Sequence, residues 1–222
     1  MGTILEGFSS QLNYDNQNTL VHISDIMRVV LLYKFGGFYL DFDTIVRTDL
    51  RKIKNSIGLE GYAKPTNDCK LAMDQFDDLI SNGVMQFEAG NPFLQLYLEE
   101  VKQIYRPNLG WFHIGPVGMR RAANRLLKRD PNDAAHNYTS PTLTILPSFV
   151  FTFMQRWKAA TNFFDTNNDA EVWEEYMRCG LVLHLTGWES KQMDVTGDPR
   201  KDIYSYVGPT MCPLAFTHLK SF

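Results

Sequence analysis

The chain has 222 residues, 44% of them hydrophobic and 21% charged, with a net charge of −3. That is enough apolar material to bury the core of one sizeable domain, and without a basic run nucleic acid is a poor partner. No apolar run approaches the ~18 residues that cross a bilayer and no signal peptide follows Met1, so no transmembrane segment and no secretory address are expected in this chain.

Residues 1–19 are polar and irregular. From Ser24 the pattern turns helical: Ser24 stands as N-cap, Ile26, Met27, Val30 and Leu31 recur at helical spacing, and Gly36-Gly37 closes the run. "FYLDFDTIV" then reads as one short buried strand, and "GVMQFEA" as another. Asn91-Pro92 opens a helix to about Tyr105, with Asn as the cap and Pro at the first helical position. "GPVGMRRAANRLLKR" reads as a helix, "LTILP" as a strand, "DAEVWEEYMRC" as a helix and "GLVLHL" as a final strand. No repeat is visible and no Gly/Ser-rich linker divides the chain. This alternation predicts an α/β domain with a mostly parallel sheet.

Cys69, Cys179 and Cys212 are far apart and show no C-x-x-C spacing. A cysteine zinc cluster is excluded, and at most one disulfide can form, with one thiol over. "NYT" makes Asn137 a glycosylation acceptor by pattern.

The chemistry concentrates at Asp41 and Asp43, which follow the Gly-Gly turn. Residues i and i+2 of a strand share a face, so both carboxylates point the same way if the strand continues. At the carboxyl end of a parallel strand they would lie at the edge where open α/β sheets bind ligands. Two close carboxylates repel unless a cation lies between them, and Mg²⁺ and Mn²⁺ favour such oxygen ligands while leaving positions for phosphate. A D-x-D pair also arises as an ordinary solvated turn. A second rival is an aspartyl phosphatase, in which Asp41 attacks phosphate. That class needs a paired acidic motif, and the adjacent aspartates Asp77 and Asp78 fall on an apparent helix end.

The surrounding residues narrow the choice. Ser24, Asp25, Arg28, Leu32, Gly36, Gly37, Tyr39, Asp41 and Asp43 spell S-D-x-x-R-x-x-x-L-x-x-x-G-G-x-Y-x-D-x-D. This run resembles the DXD sugar-binding segment of family 32 glycosyltransferases, in the α-1,4-galactosyltransferase and α-1,4-N-acetylglucosaminyltransferase branch. "SNGVMQFEAGNPFL", "GWFHIGPVGMRRA", "LVLHLTGWESKQ" and "MCP" are similar to weaker motifs of that branch, and together the likeness covers roughly residues 20–215.

The resemblance implies a GT-A-type, Rossmann-like domain over 20–222, with 20–50 as the DXD segment and 80–215 as the α-1,4-glycosyltransferase region. It implies a UDP-sugar donor, Mn²⁺ (or Mg²⁺), a glycolipid or glycan acceptor, a retaining transfer, and a place in the Golgi membrane or lumen. By position Asp43 would be the direct metal ligand, Asp41 would meet metal and donor, and His184 would be the third ligand. Asp25, Arg28, Tyr39 and Asn82 would serve the donor sugar, and Trp188, Ser190 and Lys191 would reach the donor from the last loop. Gly36 and Gly37 would let the backbone turn close to the nucleotide, and His113 would stand near the acceptor.

Two departures accompany the likeness. The family's H-Q-G-P appears as His113, Ile114, Gly115 and Pro116, with an apolar residue in the amide position. Only 23 residues precede Ser24, too few for the strand–helix unit that usually opens this fold, so a domain lacking that unit is anticipated. The sequence therefore leaves two functions open beside the phosphatase: an active transferase, or a sugar- or partner-binding relative without catalysis.

Overall fold

A computed structural model describes residues 10, 12, 14–16, 18–60, 68–69, 79–106, 108–128, 139–151 and 178–184. The chain divides into two compact units, one of Met1–Leu40, Arg51–Leu59 and Asp77–Leu146, the other of Asp41–Leu50, Glu60–Phe76 and Pro147–Phe222.

The first unit opens with helix α1, Thr19–Phe35. It starts five residues before the Ser24 predicted from the sequence. The apolar signal stopped there because Leu20 and Val21 are exposed, while the residues that turn inward, Thr19 and His22, are polar. Ile26, Val29 and Leu32 bury the apolar stripe of α1, whereas Leu20, Met27, Leu31 and Phe35 remain in water. At the helix end Gly36 has φ +68°, and a Cβ there would sit 2.8 Å from the Ala89 nitrogen. Close approach to the chain after a neighbouring strand, within the protein itself, already demands this glycine.

Strands β1 (Gly37–Leu40), β3 (Ser56–Leu59), β4 (Ile80–Phe87), β5 (Thr139–Ser140) and β6 (Leu143–Leu146) form a sheet in the order β1-β4-β3-β6-β5. The mostly parallel sheet read from the sequence is corrected here: only β3 and β6 run parallel, and the other three pairings are antiparallel. Helix–strand alternation was taken for βαβ crossovers. Instead β4 is flanked by β1 and β3, both running against it, and the connection from β4 to β5 carries two helices in succession. The fold is mixed α/β.

Those helices are α2 (Pro92–Ile104) and α3 (Gly118–Leu127), separated by a π-helical turn at His113–Val117. The α2 start is as read from the sequence: the Asn91 side chain accepts from the Phe93 N–H at 2.8 Å, and Pro92 occupies the first turn. Phe93, Leu94, Tyr97, Leu98 and Val101 are buried along α2, and Phe93 stacks on Phe87 of β4 at 5.5 Å. Strand β3 carries no alternation, because all four of its residues are buried, and Gly58 lies where its register against β4 shifts.

The second unit has a two-stranded antiparallel sheet of β2 (Thr44–Val46) and β7 (Val182–His184), with the short helix α4 at Ser148–Phe151. "FYLDFDTIV" is thus two strands in two sheets, broken at Asp41, Phe42 and Asp43. Thr44 closes the break by donating its hydroxyl to the Asp41 carbonyl at 2.7 Å. Leu50, Phe149, Phe151, Val182 and Leu183 are buried in this unit. Cys69 and Cys179 form a disulfide across 110 residues of sequence, which settles the pairing that the spacing left open. Most of the predicted helix "DAEVWEEYMRC" and the positions Asp77, Asp78, Asn137, Trp188, Ser190, Lys191 and Cys212 lie outside the described residues.

Candidate metal site and a buried polar network

In the second unit the β2–β7 ladder sets Thr44 opposite His184. Asp43 precedes Thr44, and the closed turn returns Asp41 to the same place. His184 Nε2 lies 3.3 Å from Asp43 Oδ1 and 3.6 Å from Asp41 Oδ2. The three donor atoms all lie within 4.8 Å of one another, half-buried and within reach of solvent. Ligands on adjacent sides of one six-coordinate ion bound at ~2.1 Å stand roughly 3 Å apart, so this donor set fits a hard divalent cation. The sequence anticipated all three residues, although the strand it assumed to carry the aspartates is broken.

Electrostatics agree with that fit. Burial by itself would lower the His184 pKa, yet the hydrogen bond to Asp43 and the charges of Asp43, Asp41 and Glu60 outweigh it and raise the value above 6.5. Among the described residues, Nδ1 of the same ring is buried without a hydrogen-bond partner.

In the first unit the predicted donor residues form a network of their own. Asp25 is 4% exposed, and its Oδ1 accepts from Asn82 Nδ2 at 2.7 Å. Arg28 approaches Asp25 at 3.5 Å, donates to the Asn82 carbonyl at 3.0 Å and to Ser24 Oγ at 3.1 Å, and lies 4.6 Å from the centre of the Tyr39 ring. Asp25 and Asn82 thus tie α1 to β4, and the guanidinium ties both to β1. Gly37, with φ +103°, has open space where a Cβ would stand.

Sequence reasoning missed the residues that frame this network. At Gly115 an added Cβ would stand 2.8 Å from Asp25 Oδ2 and 2.9 Å from Asn82 Nδ2, so the π-helical turn can close over the pair only as glycine. Tyr97 donates its hydroxyl to the Ile114 carbonyl at 3.0 Å. Its pKa is raised, chiefly by burial and then by the Asp25 charge, and the phenol keeps its proton for that bond. Ile114 is fully buried, which makes the apolar departure from H-Q-G-P part of the core. His113 and His22 both point a ring nitrogen at the Gly110 carbonyl, at 3.3 and 3.2 Å. Only the paired spacing of Gly115 and Gly118 around Pro116 hinted at such a device.

The family descriptions that match this chain are "Glycosyltransferase sugar-binding region containing DXD motif" over residues 4–62 and "Alpha 1,4-glycosyltransferase conserved region" over residues 86–219. An uncharacterised Arabidopsis thaliana protein is 28% identical over 193 residues, which is 84% of this chain and 27% of that protein. Lactosylceramide 4-alpha-galactosyltransferase of Mus musculus is 26% identical over 201 residues, 90% of this chain and 50% of that enzyme. The chain spans half or less of the length of these curated relatives. No solved structure matches it.

Proposed function

Because this chain belongs to the alpha 1,4-glycosyltransferase family, we propose that it moves a hexose, galactose or N-acetylglucosamine, from a UDP-sugar to a glycolipid or glycan acceptor. The convergence of Asp41, Asp43 and His184 carries this reading. The lactosylceramide-directed name of the mouse relative supports a glycolipid acceptor, and action in the Golgi is proposed with it. A GT-A-type fold belongs to the same proposal. Among the described residues no helix is long and apolar enough to cross a membrane.

Asp43, Asp41 and His184 would hold Mn²⁺ or Mg²⁺, which would supply positive charge against the diphosphate. His184 would serve as the neutral imidazole ligand of that set. Tyr39, with Arg28 against its ring, offers a face and a charge for the donor sugar, while Asp25 and Asn82 hold Arg28 in place. His113 is assigned to the acceptor, and the hydroxyl that attacks does so from the side the leaving group vacates, with retention. Ser190 and Lys191 are assigned to the diphosphate and Trp188 to a sugar face on the sequence alone.

The test is calorimetric binding of UDP with and without Mn²⁺, followed by UDP release from UDP-galactose and UDP-N-acetylglucosamine. Metal-dependent binding and turnover, both lost in Asp43→Ala, are the expected result. Metal-dependent binding without turnover against any acceptor would instead identify a sugar-binding relative. Absence of both in a folded chain would overturn the proposal.

A further inference from the structure

The β7 strand that presents His184 is only three residues long, and β2 is its partner through three residue pairs. A two-stranded ladder of that length is marginal in water. A slip of one residue would turn every β7 side chain, His184 included, to the opposite face. What fixes the strand lies just upstream. The Gly180 carbonyl accepts from Arg47 Nε at 2.6 Å, the Leu181 carbonyl accepts from the Arg47 N–H at 2.9 Å, and the Leu181 N–H donates to Val150 at 2.9 Å. One residue before these bonds, and five before His184, Cys179 is covalently held by Cys69.

We infer that the Cys69–Cys179 disulfide is a positioning element of the metal site, anchoring β7 so that His184 faces Asp41 and Asp43, and that its reduction weakens cation binding. The inference rests on the reading of those three residues as cation ligands. Cys179 is 7% exposed and Cys69 is half-buried, so a glutathione thiolate attacks the Cys69 sulfur and expels Cys179, which takes up a proton. A second glutathione then attacks the mixed disulfide, freeing the Cys69 thiol and leaving as glutathione disulfide. The two cysteines touch no ligand in this scheme; they act through the strand. The cation site is then at full strength only where disulfides persist.

The test measures Mn²⁺ affinity of the full chain from the paramagnetic resonance of free Mn²⁺. Oxidised wild type is compared with the Cys69→Ser/Cys179→Ser variant, with circular dichroism to establish that both are folded. Loss of an orienting contact to a metal ligand typically costs about 10- to 100-fold in affinity, and a drop of that size is the expected result. Coupling is reciprocal, so the wild-type disulfide titrated in glutathione buffers must respond to Mn²⁺ as well. A tenfold affinity difference moves its midpoint at saturating Mn²⁺ by about 30 mV toward the oxidised form. A disulfide that merely stiffened the chain elsewhere would show no such response. This second measurement needs no variant and decides the matter if the serine variant does not fold. Oxidised and reduced forms that bind Mn²⁺ equally, or a midpoint indifferent to Mn²⁺, would overturn this inference alone. An oxidised wild type that binds no Mn²⁺ overturns the metal-site reading and this inference with it.

Discussion

The Asp41–Asp43–His184 trio and the Asp25 network are both built on carboxylates, yet they are held in opposite ways. Asp25 lies within a five-stranded sheet and its helices, 4% exposed, with an amide and a guanidinium on its oxygen. Asp41 and Asp43 stand on a broken strand beside a three-residue ladder, half-buried, with a histidine as counter-charge. On the proposed function, the difference separates residues that would take a cation from residues that hold Arg28 and Tyr39 in place.

The largest effect should come from Asp25→Ala, which leaves the buried Asn82 amide without its acceptor and takes away the carboxylate beside Arg28. A loss of about 3 kcal/mol in unfolding free energy is expected, read by urea titration. A change under about 1 kcal/mol would mean that the network is not structural. His184→Ala should do the reverse: Mn²⁺ affinity falls roughly 100-fold or about 2.7 kcal/mol, while the urea midpoint of the metal-free chain, measured at alkaline pH where the charge contribution of His184 has faded, moves less than in Asp25→Ala. If both variants lost stability alike, the contrast between the regions would collapse.

How far the sequence foretold these regions follows from the same contrast. The trio was legible because Asp41 and Asp43 follow Gly-Gly at short spacing, while His184, closing "LVLH" far along the chain, was grouped with them through the family resemblance. The Asn91-Pro92 start of α2 was legible for the same reason, since caps are local. Gly115 was not, because its role depends on Asp25 and Asn82 arriving from 90 and 33 residues away. The sheet direction failed for a related cause: pairing of β4 with both β1 and β3 is a long-range choice that helix–strand alternation does not encode. Strand β3, buried on both faces and interrupted by Gly58, offered no period to read.

Smaller tests sharpen the comparison. Gly115→Ala forces the Asp25–Asn82 pair apart and should cost about 2 kcal/mol, with Mn²⁺ binding unchanged. Tyr97→Phe removes one buried donor from the Ile114 carbonyl and should cost about 1 kcal/mol, seen in the urea midpoint. A still smaller effect is one of pH. The His22 pKa is lowered, chiefly by burial and further by His113, against a bond to Gly110 that raises it. The folded chain therefore keeps His22 neutral where the unfolded chain protonates it. The stability this contributes is present above the ordinary 6.5 and is lost as pH falls from there toward the lowered value. His184 is shifted the other way, so its contribution in the metal-free chain is complete below 6.5 and fades as pH rises through the raised value. Thermal midpoints of wild type and His22→Leu measured from pH 7 to 5 should diverge, wild type falling faster. Parallel curves would show that His22 does not titrate in this range.

Phe42 stands between the two aspartates and is fully exposed, at 110% of its reference area. A ring with no packing to lose can be exchanged without disturbing the turn that carries it. Position 42 is thus a place to install an indicator: a tryptophan there would have its emission quenched by a paramagnetic ion one residue away on either side. Occupancy of the site could then be followed in real time, in the intact protein, with no donor, acceptor or product present.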